Sequence, residues 1–163
     1  LLLALEAQAV LDADRGEELA DLAAQWEAPE VEVPAGPGLF PHALEVLSGL
    51  EALDGDWRDL LRRGEDAPRA AVPEALLERV GAYFAFRYLL KTVNDGDLLG
   101  RAQLCVLMVL TAQRLAGVCG FAEAVRRVSC EIEHSEENLE ALRAAFREDP
   151  GLCAAAFLRQ LEG

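Results

Sequence analysis

The sequence predicts an all-α fold, an irregular multi-helix bundle of about six to eight helices. Three observations point there. Apolar residues recur every three or four positions along nearly every long segment, which is the period of a helix face and not of a strand. β-Branched residues, which favour strands, are few. Hydrophobic residues make up 52% of 163 residues, enough to build one buried core. A single α-helical domain over residues 1–163 follows, with a Pro/Gly-rich loop near 28–41 expected to be flexible. The chain opens inside an apolar helical pattern, "LLLALEAQAVL", and is expected to be a C-terminal fragment of a longer protein.

The first helical segment runs from Leu1 to about Trp26, with a weak interruption at "DADRGEE". The stretch "APEVEVPAGPGLFP" then carries four prolines and two glycines, so no regular element crosses it. Its "EVEV" is at most a short extended piece. Helical spacing returns from about His42 to Arg63, through Leu44, Leu47, Leu50, Trp57, Leu60 and Leu61. "LDGD", Leu53 to Asp56, divides that segment and offers Asp56 as an N-cap.

After the loop "GEDAPRAAVP", Pro73 sits at the first turn of the next helix, where its missing N–H costs nothing. That helix is expected to reach about Val93. In "NDGD", Gly96 closes it and Asp97 caps the next. The following helix, about Leu98 to Val118, is apolar all round at its centre and is expected in the middle of the bundle. Its apolar run "LCVLMVLTA" is about half the roughly 20 residues of a membrane span. A break at "GVCG", a helix from Phe121 to about Glu148 and a last helix from Leu152 to Leu161 complete the chain.

The formal net charge of -14, from 29 acidic and 15 basic residues, argues against a nucleic-acid partner, because phosphate contacts need clustered Lys and Arg. It also disfavours docking on anionic lipid. No P-loop, dinucleotide fingerprint or nucleophile elbow is present. The four cysteines, at 105, 119, 130 and 153, form no CxxC or CxxxC pair. They are expected to be reduced structural thiols, with no metal bound and a cytoplasmic location.

The chemically dense stretch is "RRVSCEIEHSEENLEAL", Arg126 to Leu142. Phe121, Val125, Val128, Ile132, Leu139, Leu142 and Phe146 step by four, three, four, seven, three and four. The skipped position is Ser135. One continuous helix is preferred on that seam; the rival is a new helix with Ser135 as N-cap and Glu136 and Glu137 in its first turn. On the continuous helix Glu131, Ser135 and Asn138 interrupt a buried stripe, while Glu133, Glu137 and Glu140 point outward and His134 and Glu136 lie on opposite flanks.

A buried carboxylate and amide need partners. Leu76, Val80, Tyr83, Arg87 and Leu90 also step by four and three, which places Arg87 in the apolar stripe of its own helix. An Arg87–Glu131 pair is therefore expected, completed by Ser135, Asn138, Tyr83 or Tyr88. Two chemical readings of the same residues are weaker. Glu131-x-x-His134 is the pair used in di-iron bundles, but no second copy exists. Cys130 and His134 stand four apart as a nucleophile and base, but the thiol lies among carboxylates, which disfavour a thiolate. A buried structural network is the plain reading, and a pocket around it the functional one.

"YFAFRYLLKTVNDGDLLGRAQLCVLMVL" followed by "VSCEIEHSEENLEAL" resembles the C-terminal part of the bacterial flagellin lysine N-methylase family, from about Leu77 to Phe146. The "EHSEEN" string, Glu133 to Asn138, is its most distinctive part. The resemblance implies S-adenosylmethionine-dependent methyl transfer to protein lysines such as those of flagellin. It also implies an iron–sulfur cluster held by a cysteine-rich N-terminal part, which this chain lacks and which would be its partner in the full-length protein. Cys130 stands where the family pattern has arginine. The resemblance assigns no catalytic residue to a position here. The alternatives are a non-catalytic helical scaffold or interaction domain and a stand-alone helical ligand-binding protein.

Overall fold

A computed structural model describes residues 1–27, 36 and 38–162, apart from the side chain of Glu162. Among these residues there is no strand, and the all-α bundle is the fold observed. The helices are α1 (Leu2–Asp12), α2 (Leu19–Gln25), α3 (Leu39–Gly49), α4 (Trp57–Asp66), α5 (Glu74–Tyr88), α6 (Thr92–Asp95), α7 (Leu98–Cys119), α8 (Phe121–Val128), α9 (Glu136–Glu148) and α10 (Ala154–Glu162). A 3-10 turn at Gly16–Glu18 fills the weak spot between α1 and α2. Another, Leu89–Lys91, joins α5 to α6.

The expected loop over 28–41 is shorter at its C-terminal end, because α3 already begins at Leu39. Leu39 is buried, and its burial extends the helix one turn earlier than the proline pattern suggests. Residues 28–35 and 37, with the "EVEV" piece, lie outside the described residues.

α7 is the central helix. It packs against α1, α4, α5, α8 and α9, and Leu104, Leu107, Met108, Ala112 and Leu115 along it are buried. It is long and apolar enough to cross a membrane by length and composition, and here that apolar surface is spent on neighbouring helices. Its start is set as the sequence predicts: Gly96 takes φ +70° and ends α6, and the Asp97 carboxylate accepts the Gly100 N–H at 2.9 Å. Around α7 the core is completed by Leu47, Trp57, Leu61, Phe84, Tyr88, Ile132, Leu142, Phe146 and Phe157.

Two expectations fail. The helix from Phe121 to Glu148 is not continuous: α8 ends at Val128, a π turn spans Ser129–Glu133, and α9 begins after Ser135. The Ser135 hydroxyl accepts the Asn138 N–H at 3.2 Å, so the N-cap reading is the correct one. The buried face of α5 is also rotated from the expected stripe. Phe84 and Tyr88 enter the core, whereas Leu76, Tyr83 and Leu90 are exposed.

Candidate functional site

The π turn and the cap of α9 put Glu131, Ile132, Ser135 and Asn138 inside the molecule. A π turn holds one more residue than an α turn, which shifts the phase of everything after it. Glu131 faces backbone and not an arginine. Its carboxylate accepts the N–H groups of Leu53 and Asp54, each at 2.8 Å. Asn138 works on the same segment: its Oδ1 accepts the Glu51 N–H at 3.0 Å, and its Nδ2 donates to the carbonyls of Glu51 and Glu131, both at 2.8 Å. The expected Arg87–Glu131 pair is therefore replaced by a clamp on the α3–α4 connection. That connection has no helical partners for its N–H groups, so it recruits side chains.

Two arginines close the clamp from outside. Arg127 spans Asp54 at 2.5 Å, Asp56 and Glu123 at 2.9 Å. Arg58 donates to the carbonyls of Ser48 and Leu50, at 2.9 and 3.0 Å. Asp56 caps α4 by position, but its carboxylate serves Arg127. Hydrogen bonds from Arg127 hold Asp56 below the usual carboxylate range. Those from Arg126, then Arg127, lower Glu123 to about 2.

Arg87 pairs instead with Glu133, at 2.5 Å. Glu133, expected on the solvated face, has a side chain only 1% exposed, because the π turn swings it toward α5. There it accepts the Tyr88 hydroxyl at 3.1 Å and contacts the Ser129 hydroxyl. Burial, then the Glu133 charge, pushes the Tyr88 phenol well above its ordinary value. Tyr83 is exposed and packs on Phe84, and His134 is exposed. The Cys130 sulfur accepts from Arg126 at 3.8 Å, so it points back along α8. The seven candidate residues thus separate: Glu131 and Asn138 clamp a loop, Ser135 caps α9, Arg87 and Tyr88 hold Glu133, and Tyr83 and His134 join none of these.

A cleft of about 430 Å³ opens beside this turn. Tyr88, Leu104 and Leu139 give it apolar and aromatic surface, Glu136, Glu137 and Glu140 line it from α9, and Lys91, Arg101 and Arg143 supply positive charge. Asp95 binds Arg101 at 2.5 Å and Arg143 at 2.9 Å, and Asp97 holds Arg143 at 2.7 Å. Lys91 lies 5.2 Å over the Tyr88 ring. Arg127 and this cleft escaped the sequence reading. The first had only the local signal of a basic residue one turn after Glu123; the second is assembled from the end of α5, the turn Leu89–Lys91, α7 and α9 and has none.

The four cysteines do not fit an iron–sulfur cluster. Cys105 and Cys119 are separated by about four turns of α7, roughly 21 Å. Burial pushes the Cys105 thiol up to about 12. Among the described residues no three His, Cys, Asp or Glu side chains are grouped to hold a metal ion. S-Adenosylmethionine fits better. Its amino-acid end carries both charges, which Lys91 and the carboxylates of Glu136, Glu137 and Glu140 would hold. Comparison with protein-family models, with curated protein sequences and with solved structures gives no match.

Proposed function

We propose that the chain is the helical domain of a lysine N-methylase-like protein that uses S-adenosylmethionine to methylate protein lysines, such as those of flagellin. The sequence support is the resemblance over residues 77–146, with "EHSEEN" at 133–138. The single structural observation that supports it is the cleft beside that string, whose opposed charges and apolar floor suit the zwitterionic, aliphatic end of S-adenosylmethionine. The methyl group passes from the sulfonium to a neutral lysine amine, leaving S-adenosylhomocysteine; no residue is assigned as base.

A second reading, a non-catalytic helical scaffold, is favoured by a different observation. Glu131, two positions before the string, and Asn138 at its end are taken up by the backbone of residues 51–54 and the Glu131 carbonyl. Titration calorimetry with S-adenosylmethionine separates the two. The methylase reading expects saturable binding that Lys91→Ala and Glu140→Gln weaken, with S-adenosylhomocysteine competing. An intact, folded chain that binds neither compound overturns it in favour of the scaffold.

A further inference from the structure

α5 is apolar on two opposite sides. One side, with Phe84 and Tyr88, is the core face. The other carries Leu76, Tyr83 and Phe86, and the 3-10 turn and α6 that follow add Leu90 and Val93; all five are exposed, with Phe86 at 77% and Val93 at 89%. A soluble helix rarely spends large apolar residues on water in an ordered line. These are ordered. Leu76, Tyr83 and Leu90 follow one another by sevens, and so do Arg79, Phe86 and Val93, offset by three. That is a heptad seam with five apolar positions of six, continued through the 3-10 turn into α6. The residues flanking it on one side, Ala75, Ala82 and Leu89, are small or apolar, which lets a second helix approach closely.

We propose that this seam joins two copies of the chain as an antiparallel, two-fold helix pair. The seam is self-complementary in that direction. A two-fold axis between residues 84 and 85 sets Leu76 against Val93 of the second copy, Tyr83 against Phe86, and Arg79 against Leu90. Every layer then pairs the two kinds of seam position, as antiparallel coiled coils require. A parallel pair would instead bury Arg79 against its own copy, like charge on like charge. The area is sufficient. At about 100–200 Å² for a large apolar side chain, the exposed parts of the five residues supply about 500 Å² per copy, so both copies with the polar rim reach the roughly 1,200 Å² where specific interfaces begin. An isologous contact uses one patch twice and needs no second complementary surface.

Sedimentation of the full chain tests the contact. Dimers are expected, dissociating in the micromolar range that an interface near the lower size limit gives. Phe86→Asp places a charge in the seam and is expected to weaken association at least about tenfold, with helix content unchanged, and with melting temperature unchanged at concentrations where the parent chain is monomeric, because Phe86 is outside the core. The direction is read by oxidation: a chain carrying both Arg79→Cys and Leu90→Cys cross-links between copies at the two substituted positions, and Leu90→Cys alone does not. A chain that stays monomeric to about 200 µM overturns the proposal and assigns the seam to a different partner. Association indifferent to Phe86→Asp, or cross-linking by Leu90→Cys alone, overturns it as well.

Discussion

Glu131 and Asn138 together satisfy five backbone groups with side-chain atoms, three N–H groups and two carbonyls. Each is buried, so water cannot replace a lost bond cheaply. Asn138→Leu keeps the volume and removes both amide functions. It strands the Glu51 N–H and two carbonyls, and is expected to cost about 3 kcal/mol in urea denaturation. Glu131→Gln keeps one acceptor and loses the charge, for about 2 kcal/mol. His134→Ala, on an exposed residue between them in sequence, is expected to stay within about 0.5 kcal/mol. Equal losses for His134→Ala and Asn138→Leu would sink the loop-clamp reading. That Glu131 and Asn138 face inward was legible from their spacing. Their partners were not, because backbone N–H groups 77 or more positions away leave no mark on residue type.

At the scale of elements, the places where periodicity misled have two physical causes. α5 carries apolar residues at helical spacing on both sides, so Leu76, Tyr83 and Leu90 make as good a seam as Phe84 and Tyr88. Spacing alone does not say which seam the bundle buries. In the Phe121–Glu148 region the apolar steps continue across a real break, because the π turn and the Ser135 cap together return Leu139, Leu142 and Phe146 to the core. The local signal was the cap itself: Ser135 followed by Glu136 and Glu137 is a helix start. Ser135→Ala is accordingly expected to cost about 1 kcal/mol and to fray the first turn of α9, read as faster amide exchange at Glu137 and Asn138. A mid-helix serine would show neither effect. Packing between elements sets a second expectation. A Cβ at Gly117 would collide with the Pro68 carbonyl, which is backbone and does not turn aside. Gly117→Ala pries α7 from the loop after α4, at about 1–3 kcal/mol by thermal melting.

For the whole molecule, two charge effects oppose each other as pH falls. The chain carries a net charge of -14 at neutral pH, and its sequence pI is about 4.5. Protonation between pH 7 and 5 relieves that self-repulsion, and added salt does the same by screening. Against this stand Glu123, Asp56 and Asp95. Hydrogen bonds from Arg126, then Arg127, lower Glu123 to about 2, and Arg127 lowers Asp56. For Asp95, burial raises the carboxyl, and the Arg101 and Arg143 contacts outweigh it to leave the group lowered. A carboxylate with a lowered folded-state value contributes stability that is complete above its unfolded value, near 4, and is lost as pH falls through the folded one. Melting temperature is therefore expected to hold or rise from pH 7 to about 5 and to fall below about pH 4. Arg127→Met separates the two effects. It removes the cation that serves Asp56, Asp54 and Glu123, so the loss below pH 4 becomes shallower, while the rise toward pH 5, which depends on total charge, remains. At the alkaline end the sign reverses. Tyr88 is raised, so its contribution is complete below about 10 and lost above it, and Tyr88→Phe flattens the decline there. An acid limb unchanged by Arg127→Met would mean that the fold resists acid by some route other than the clamp on the α3–α4 connection.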